Sequence, residues 1–166
     1  GPFDSASTSD REVLGIPRAG DPSVRIFDSP PTTEDGLSIV ILAVSDPARS
    51  RDFYAAVLGC TVRVDAGVFV QLALPGGPDL GLYARPGFAV NTGRPAAPIP
   101  AGHTSAAELY VAVAGALDDA VDRAITAGAT VLSAAQDRAW GDRVAYLADP
   151  DGHVLALAQP LRTSGA

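Results

Sequence analysis

Residues 59–62 read GCTV, and residues 128–131, 69 positions later, read GATV. Each tetrapeptide closes a stretch with helical apolar spacing and opens one rich in β-branched residues. Glycine in that place stops a helix, because it enters the left-handed conformation without a Cβ clash. Carried outward at the same offset, Ala43-Val44 falls on Ala112-Val113 and Ala55 on Ala124. At an offset of 75, Leu72-Ala73 falls on Leu147-Ala148, Pro75 on Pro150, Gly77 on Gly152 and Leu82 on Leu157. Order, turns and helix stops agree together, which marks an internal repeat.

The elements follow from the repeat. Leu37–Val44 (LSIVILAV) reads as a buried strand halted by Ser45-Asp46-Pro47. Asp46 suits a helix cap with Pro47 in the first position. The helix Pro47–Leu58 is expected to turn Ala48, Phe53, Ala56 and Val57 inward and to end at Gly59. Strands are expected at Thr61–Asp65, Val68–Leu74 and Leu80–Arg85. The second half restarts with strand Glu108–Val113, helix Ala116–Ala127, and strands near Thr130–Ser133, Asp142–Leu147 and His153–Ala158. Each half is therefore β-α-β-β-β, a unit with an apolar sheet face that needs cover. Between them lies PGFAVNTGRPAAPIPAGHT, residues 86–104, read as a linker or as a loop over a pocket. Residues 1–36, rich in Pro, Gly, Ser, Thr and Asp, read as a flexible or draped tail.

Composition bounds the function. A chain of 166 residues, 47% hydrophobic and 19% charged, suits one globular domain. The net charge is −7, and all 12 basic residues are arginine. That balance argues against nucleic acid, whose phosphates need clustered cations, and suits a cationic ligand. A single cysteine, Cys60, excludes an intrachain disulfide and fits a cytoplasmic setting. Its counterpart in the repeat is Ala129, so a small buried residue is expected there. The apolar run Leu37–Val44 is too short to span a bilayer, and no secretory leader is expected.

The opening strand running into Ser45-Asp46, the helix with Phe53-Tyr54 and Leu58-Gly59, Ala127-Gly128-Ala129, Trp140-Gly141 and Asp149-Pro150-Asp151-Gly152-His153 together carry a family likeness. Residues 37–160 resemble a vicinal oxygen chelate domain, the superfamily of glyoxalases, bleomycin-resistance proteins and dioxygenases. The resemblance implies an α+β fold of two tandem βαβββ modules whose mixed sheets form a cupped cavity. Module 1 would take residues 37–86, a connecting loop 87–106 and module 2 residues 107–160, with 161–166 a C-terminal tail. It also implies pairing into homodimers.

Metal-dependent members place four ligands at one position on the first and last strand of each module. The repeat puts those positions at Ile39, Gly81, Glu108 and Ala156, of which three lack a donor atom. No metal or other cofactor is therefore expected, and the chain resembles the bleomycin-resistance branch. Strand alternation then sets the cavity face. It presents Ile39, Ile41, Ala43, Phe69, Gln71, Gly81 and Tyr83 in the first half. In the second it presents Glu108, Tyr110, Ala112, Val144 and Tyr146, with Trp140 in step. The expected ligand contacts are Phe69, Gln71, Tyr83, Glu108, Tyr110, Trp140 and Tyr146, with Gly81, Ala112 and Ala156 leaving room.

Glu108, expected to be partly desolvated, would bind a ligand amine or serve as a general base. His153 reads as a turn residue, His103 as a loop residue, and Asp118, Asp119 and Asp122 as a solvated helix face. The expectation is a metal-independent binding protein that sequesters an aromatic or basic metabolite or antibiotic. The alternative is a superfamily enzyme, a lyase, isomerase, cyclase or dioxygenase acting on a small organic substrate. Neither reading calls for nucleic acid or membrane.

Overall fold

A computed structural model describes residues 25–26 and 34–162. Most of the expected N-terminal tail, and residues 163–166 of the C-terminal one, lie outside the described residues. The chain divides into two compact units, Gly1–Pro98 and Ile99–Ala166.

The first unit runs β1 (Arg25–Ile26), β2 (Ile39–Val44), α1 (Pro47–Leu58), β3 (Thr61–Asp65), β4 (Phe69–Ala73), β5 (Asp79–Ala84) and α2 (Arg85–Thr92). Its sheet has the order β1-β3-β4-β5-β2, with β2 parallel to β5 and the other pairs antiparallel. Helix α1 starts where Asp46 accepts a hydrogen bond from the Arg49 backbone N–H at 3.2 Å, with Pro47 in the first turn. It stops at Gly59, which sits at φ +63° and donates its N–H to the Ala55 carbonyl. Its buried stripe is Ser50, Phe53, Tyr54 and Val57. Ala48 and Ala56, expected to face inward, are exposed. The spacing of 50, 53, 54 and 57 follows the 3.6-residue period, and 48 and 56 fall outside that face. The stripe accompanies a core of Val44, Val70, Leu72, Leu80 and Leu82, all fully buried.

Helix α2 corrects the expectation of an irregular loop over 87–106. Pro86 stands in its first turn, where the missing N–H costs nothing. Gly93, at φ +72°, closes it by donating to the Ala89 carbonyl. The Pro-Gly pair that reads as a breaker in sequence is a helix start.

The second unit runs β6 (Glu108–Ala112), α3 (Leu117–Ala127), β7 (Thr130–Asp137), β8 (Asp142–Ala148) and β9 (Val154–Pro160). The sheet order is β6-β9-β8-β7, with β6 parallel to β9. Helix α3 buries Leu117, Ala120 and Ala124 and carries Asp118 and Asp119 in its first turn, where the helix dipole favours negative charge. Ala145, Leu147, Leu155 and Leu157 are buried on one face of this sheet. The turn before β9 is built by the buried Asp149, whose carboxylate accepts from the backbone N–H groups of Asp151 and His153, both at 2.9 Å. His153 is thus a turn residue, as its sequence position suggested.

The two ladders repeat rung for rung. Ile39 faces Asp79 as Glu108 faces Val154, and Ile41 faces Gly81 as Tyr110 faces Ala156. Phe69 faces Tyr83 as Val144 faces Ala158, and Gln71 faces Gly81 as Tyr146 faces Ala156. The offsets of 69 and 75 read from sequence are the offsets of the hydrogen-bonded registers.

Candidate functional site

Each unit turns one sheet face toward its helix α1 or α3. The opposite face is where alternation put the ligand contacts, and the units treat it differently. In the first unit Phe69 and Tyr83 are 3% and 1% exposed, with ring centroids 5.3 Å apart in an edge-on pair. Ile39, Ile41, Val64 and Phe88 pack against them. Phe88 belongs to α2, so the helix that replaces the expected loop covers this face. Gly87 permits the approach: a Cβ there would lie 2.1 Å from Tyr83 Cε1. Gly81 does not leave ligand room as expected, because Ile39, Ile41 and Phe69 already crowd it, with Ile39 Cδ1 3.0 Å from where its Cβ would stand.

The polar end of that face is also internally committed. Gln71 donates its amide to Asp79 at 2.8 Å, and Arg63 Nε lies 2.8 Å from the same carboxylate oxygen. Asp79 was missed by the sequence reading because its strand was started one residue late. Its parity with Gly81 and Tyr83 was the available signal.

In the second unit the same face is open. Tyr110 is 45% and Trp140 59% exposed, and Glu108 and Ala112 are exposed beside them. Glu108 is exposed and not desolvated as expected: it stands at the first rung of an edge strand of its unit. Trp140 Nε1 donates to the Tyr110 hydroxyl at 2.8 Å, and that hydroxyl donates to Asp142 Oδ2 at 2.6 Å. Local desolvation and the bond to Asp142 push the Tyr110 phenol above its ordinary value, while the bond from Trp140 partly opposes them. On neighbouring strands of the same face are the buried Val144, Ala156 and Ala158, with Tyr146 packed against them. The Arg138 guanidinium lies over the Tyr146 ring, 5.1 Å from its centroid.

Trp140 reaches this face from a turn and not, as expected, from an extended strand. Gly141 N–H donates to the Arg138 carbonyl and Arg138 N–H to the Asp142 carbonyl, so residues 138–142 form a tight hairpin end with Gly141 at φ +97°. Arg138 and Asp142 were not picked from sequence. Asp142 shares parity with Val144 and Tyr146 and was legible. Arg138 was not, since the β7 register slips between Val131 and Ser133 and again between Ser133 and Gln136. Alternation cannot be counted through such irregularities.

Of the four positions that the resemblance assigned to metal ligands, Ile39, Gly81 and Ala156 carry no donor, and Glu108 alone has one. Among the described residues no three His, Cys, Asp or Glu side chains are grouped to hold an ion. These residues do not fit a chelated divalent cation. Cys60 is buried, donates weakly to the Tyr54 carbonyl at 3.3 Å, and burial pushes its thiol up. No helix among the described residues is long and apolar enough to cross a membrane.

Comparison with known proteins bears on this geometry. A protein described as a glyoxalase/bleomycin resistance protein/dioxygenase from Nocardioides is 25% identical, with a TM-score of 0.62 over 82% of this chain and 91% of that one. A glyoxalase-related enzyme from Fulvimarina pelagi is 20% identical, with a TM-score of 0.66 over 80% and 96%, a likeness of fold alone. An uncharacterised Mycobacterium tuberculosis protein is 50% identical over 46 residues, 28% of this chain and 27% of that protein. The chain thus spans 27–30% of the length of the curated relatives it matches. The glyoxalase-like domain family matches residues 39–158, from the first strand of one βαβββ unit to the last strand of the other. The chain belongs to the glyoxalase-like domain family, within the vicinal oxygen chelate superfamily.

Proposed function

We propose that the chain is a metal-independent small-molecule-binding protein of the bleomycin-resistance kind, sequestering an aromatic or basic metabolite or antibiotic on the open face of its second unit. One observation carries the reading: Trp140 and Tyr110 are exposed yet fixed by hydrogen bonds that end on Asp142. Large aromatic rings held in place without cover lose little conformational entropy when a flat ligand stacks on them. Glu108 on the same strand as Tyr110 offers acceptor oxygens to a ligand amine, and the small Ala112 and Ala156 leave the rings prominent. Phe69, Gln71 and Tyr83 serve this reading as framework, since their contacts are made within the first unit.

Trp140 is the only tryptophan, so its emission reports on the face directly. Titration with bleomycin-type antibiotics and planar aromatic amines is expected to give a saturable change in that emission. Trp140→Phe, followed by calorimetry, is expected to weaken the same ligand by up to about tenfold, the worth of one aromatic contact. A flat titration across the whole set sinks the proposal.

A further inference from the structure

The second unit also holds a cation with no carboxylate partner. Arg51 pairs with Asp52 and Asp65, Arg63 with Asp79, and Arg143 with Asp137. Arg138 has no such partner among the described residues, and unlike Arg94, Arg123 and Arg162, which also show none, it is half-buried and not exposed. Its Nη2 is committed to Ser133 Oγ at 3.0 Å and to the carbonyls of Val144 at 3.2 Å and Ala134 at 3.5 Å. These bonds fix the plane of the guanidinium over Tyr146. They neutralise none of its charge. Among the described residues, the buried Nε has no acceptor and Nη1 makes no hydrogen bond.

A half-buried, oriented and uncompensated guanidinium is costly unless an anion meets it, and with Nη2 committed it has Nη1 left to give a carboxylate one charge-assisted N–H bond. Its ring partner Tyr146 packs on the Val144, Ala156 and Ala158 cluster of the open face. Tyr146 and Tyr110 flank the same residue, Ala156, from the two neighbouring strands. We infer that Arg138 is an anion-binding residue of this face, so that the ligand is an aromatic acid whose carboxylate meets Arg138 while its ring lies on the exposed Tyr110 and Trp140. This rests on the proposed binding role of the same face and adds the charge class of the ligand. A basic group elsewhere on the ligand, near Glu108, is compatible with it.

The test uses one ring with three head groups: a naphthalene carboxylate, the matching naphthylmethanol and the matching naphthylmethylamine, each titrated into the full chain by calorimetry. The carboxylate is expected to bind at least about tenfold tighter than the alcohol, as a charge-assisted hydrogen bond implies. In Arg138→Gln the ratio of carboxylate to alcohol affinity should fall to near one, and in Arg138→Lys, which keeps the charge but loses the planar, hydrogen-bonded anchoring of the guanidinium, it should lie between. Equal affinities, or an amine that binds tightest, in the unaltered protein overturn the inference while leaving small-molecule binding intact. Failure of all three to bind overturns both. Because the comparison in the unaltered protein stands alone, a misfolded variant does not rescue the inference.

Discussion

Phe69 and Tyr83 in the first unit occupy the same ladder rung as Val144 and Ala158 in the second. In the first unit the aromatic pair is sealed beneath α2, which follows β5 directly and puts Phe88 onto the rings. In the second unit the rung carries small residues, and no helix follows β9 among the described residues. Its aromatic residues stand elsewhere, on the edge strand β6, on β8 and on the β7–β8 turn, where two of the three remain exposed. One repeat has thus spent its aromatic side chains on packing, and the other holds them out, propped by polar atoms. Two copies of one backbone plan can bury their aromatic side chains or leave them exposed through a few side chains and one extra helix.

That contrast can be broken most directly by truncating an aromatic ring on each side. Tyr83→Ala removes a fully buried ring and is expected to cost about 3–5 kcal/mol, read as a large fall in the denaturation midpoint. Trp140→Ala removes an exposed ring and one hydrogen bond, for which about 1 kcal/mol is expected. Equal losses would mean that the second face is as much a core as the first.

Gly87→Ala sharpens the comparison at the covering helix. The added Cβ would meet the Tyr83 ring at 2.1 Å, so α2 or the ring must move, at an expected cost of about 1–3 kcal/mol. If α2 covers the first face only, the affinity of an aromatic ligand for the second unit stays unchanged at temperatures where the variant is folded.

The smallest effect is at Cys60. Burial raises the thiol pKa in the folded chain above its value in the unfolded one. The folded state therefore binds more protons between the two values, and stability falls as pH rises through that window. The stability tied to this thiol is fully present below the unfolded-state value. Cys60→Ala, its counterpart in the repeat being Ala129, should flatten the alkaline limb of stability against pH. An unchanged limb would locate the titration elsewhere.

The registers show why so much of the fold was legible. Glycine stops at 59 and 128, caps, and strand periodicity are local properties, and each unit expresses them without help from distant residues. Face assignment by alternation held for Ile39, Ile41, Phe69 and Tyr83, which cluster as one side of the sheet. It failed where the backbone stopped alternating. Arg138 lies beyond the irregular pairing of β7, and Trp140 sits in a turn, so neither position could be counted from a strand. The start of β5 at Asp79 hid the carboxylate that Arg63 and Gln71 share.

By itself the sequence determined the repeated βαβββ order, the register offsets of 69 and 75, and the lack of a donor at three of the four metal-ligand positions. These follow from local backbone preference and from side-chain chemistry, which are properties of each residue where it stands. Only the tertiary structure decided which face was filled and which was open. That depends on a helix begun at Arg85 with Pro86 in its first turn, on a glycine that lets it touch Tyr83, and on a hydrogen-bonded chain joining residues 110, 140 and 142. Burial and pairing are relations between residues far apart in the chain, and no single stretch encodes them.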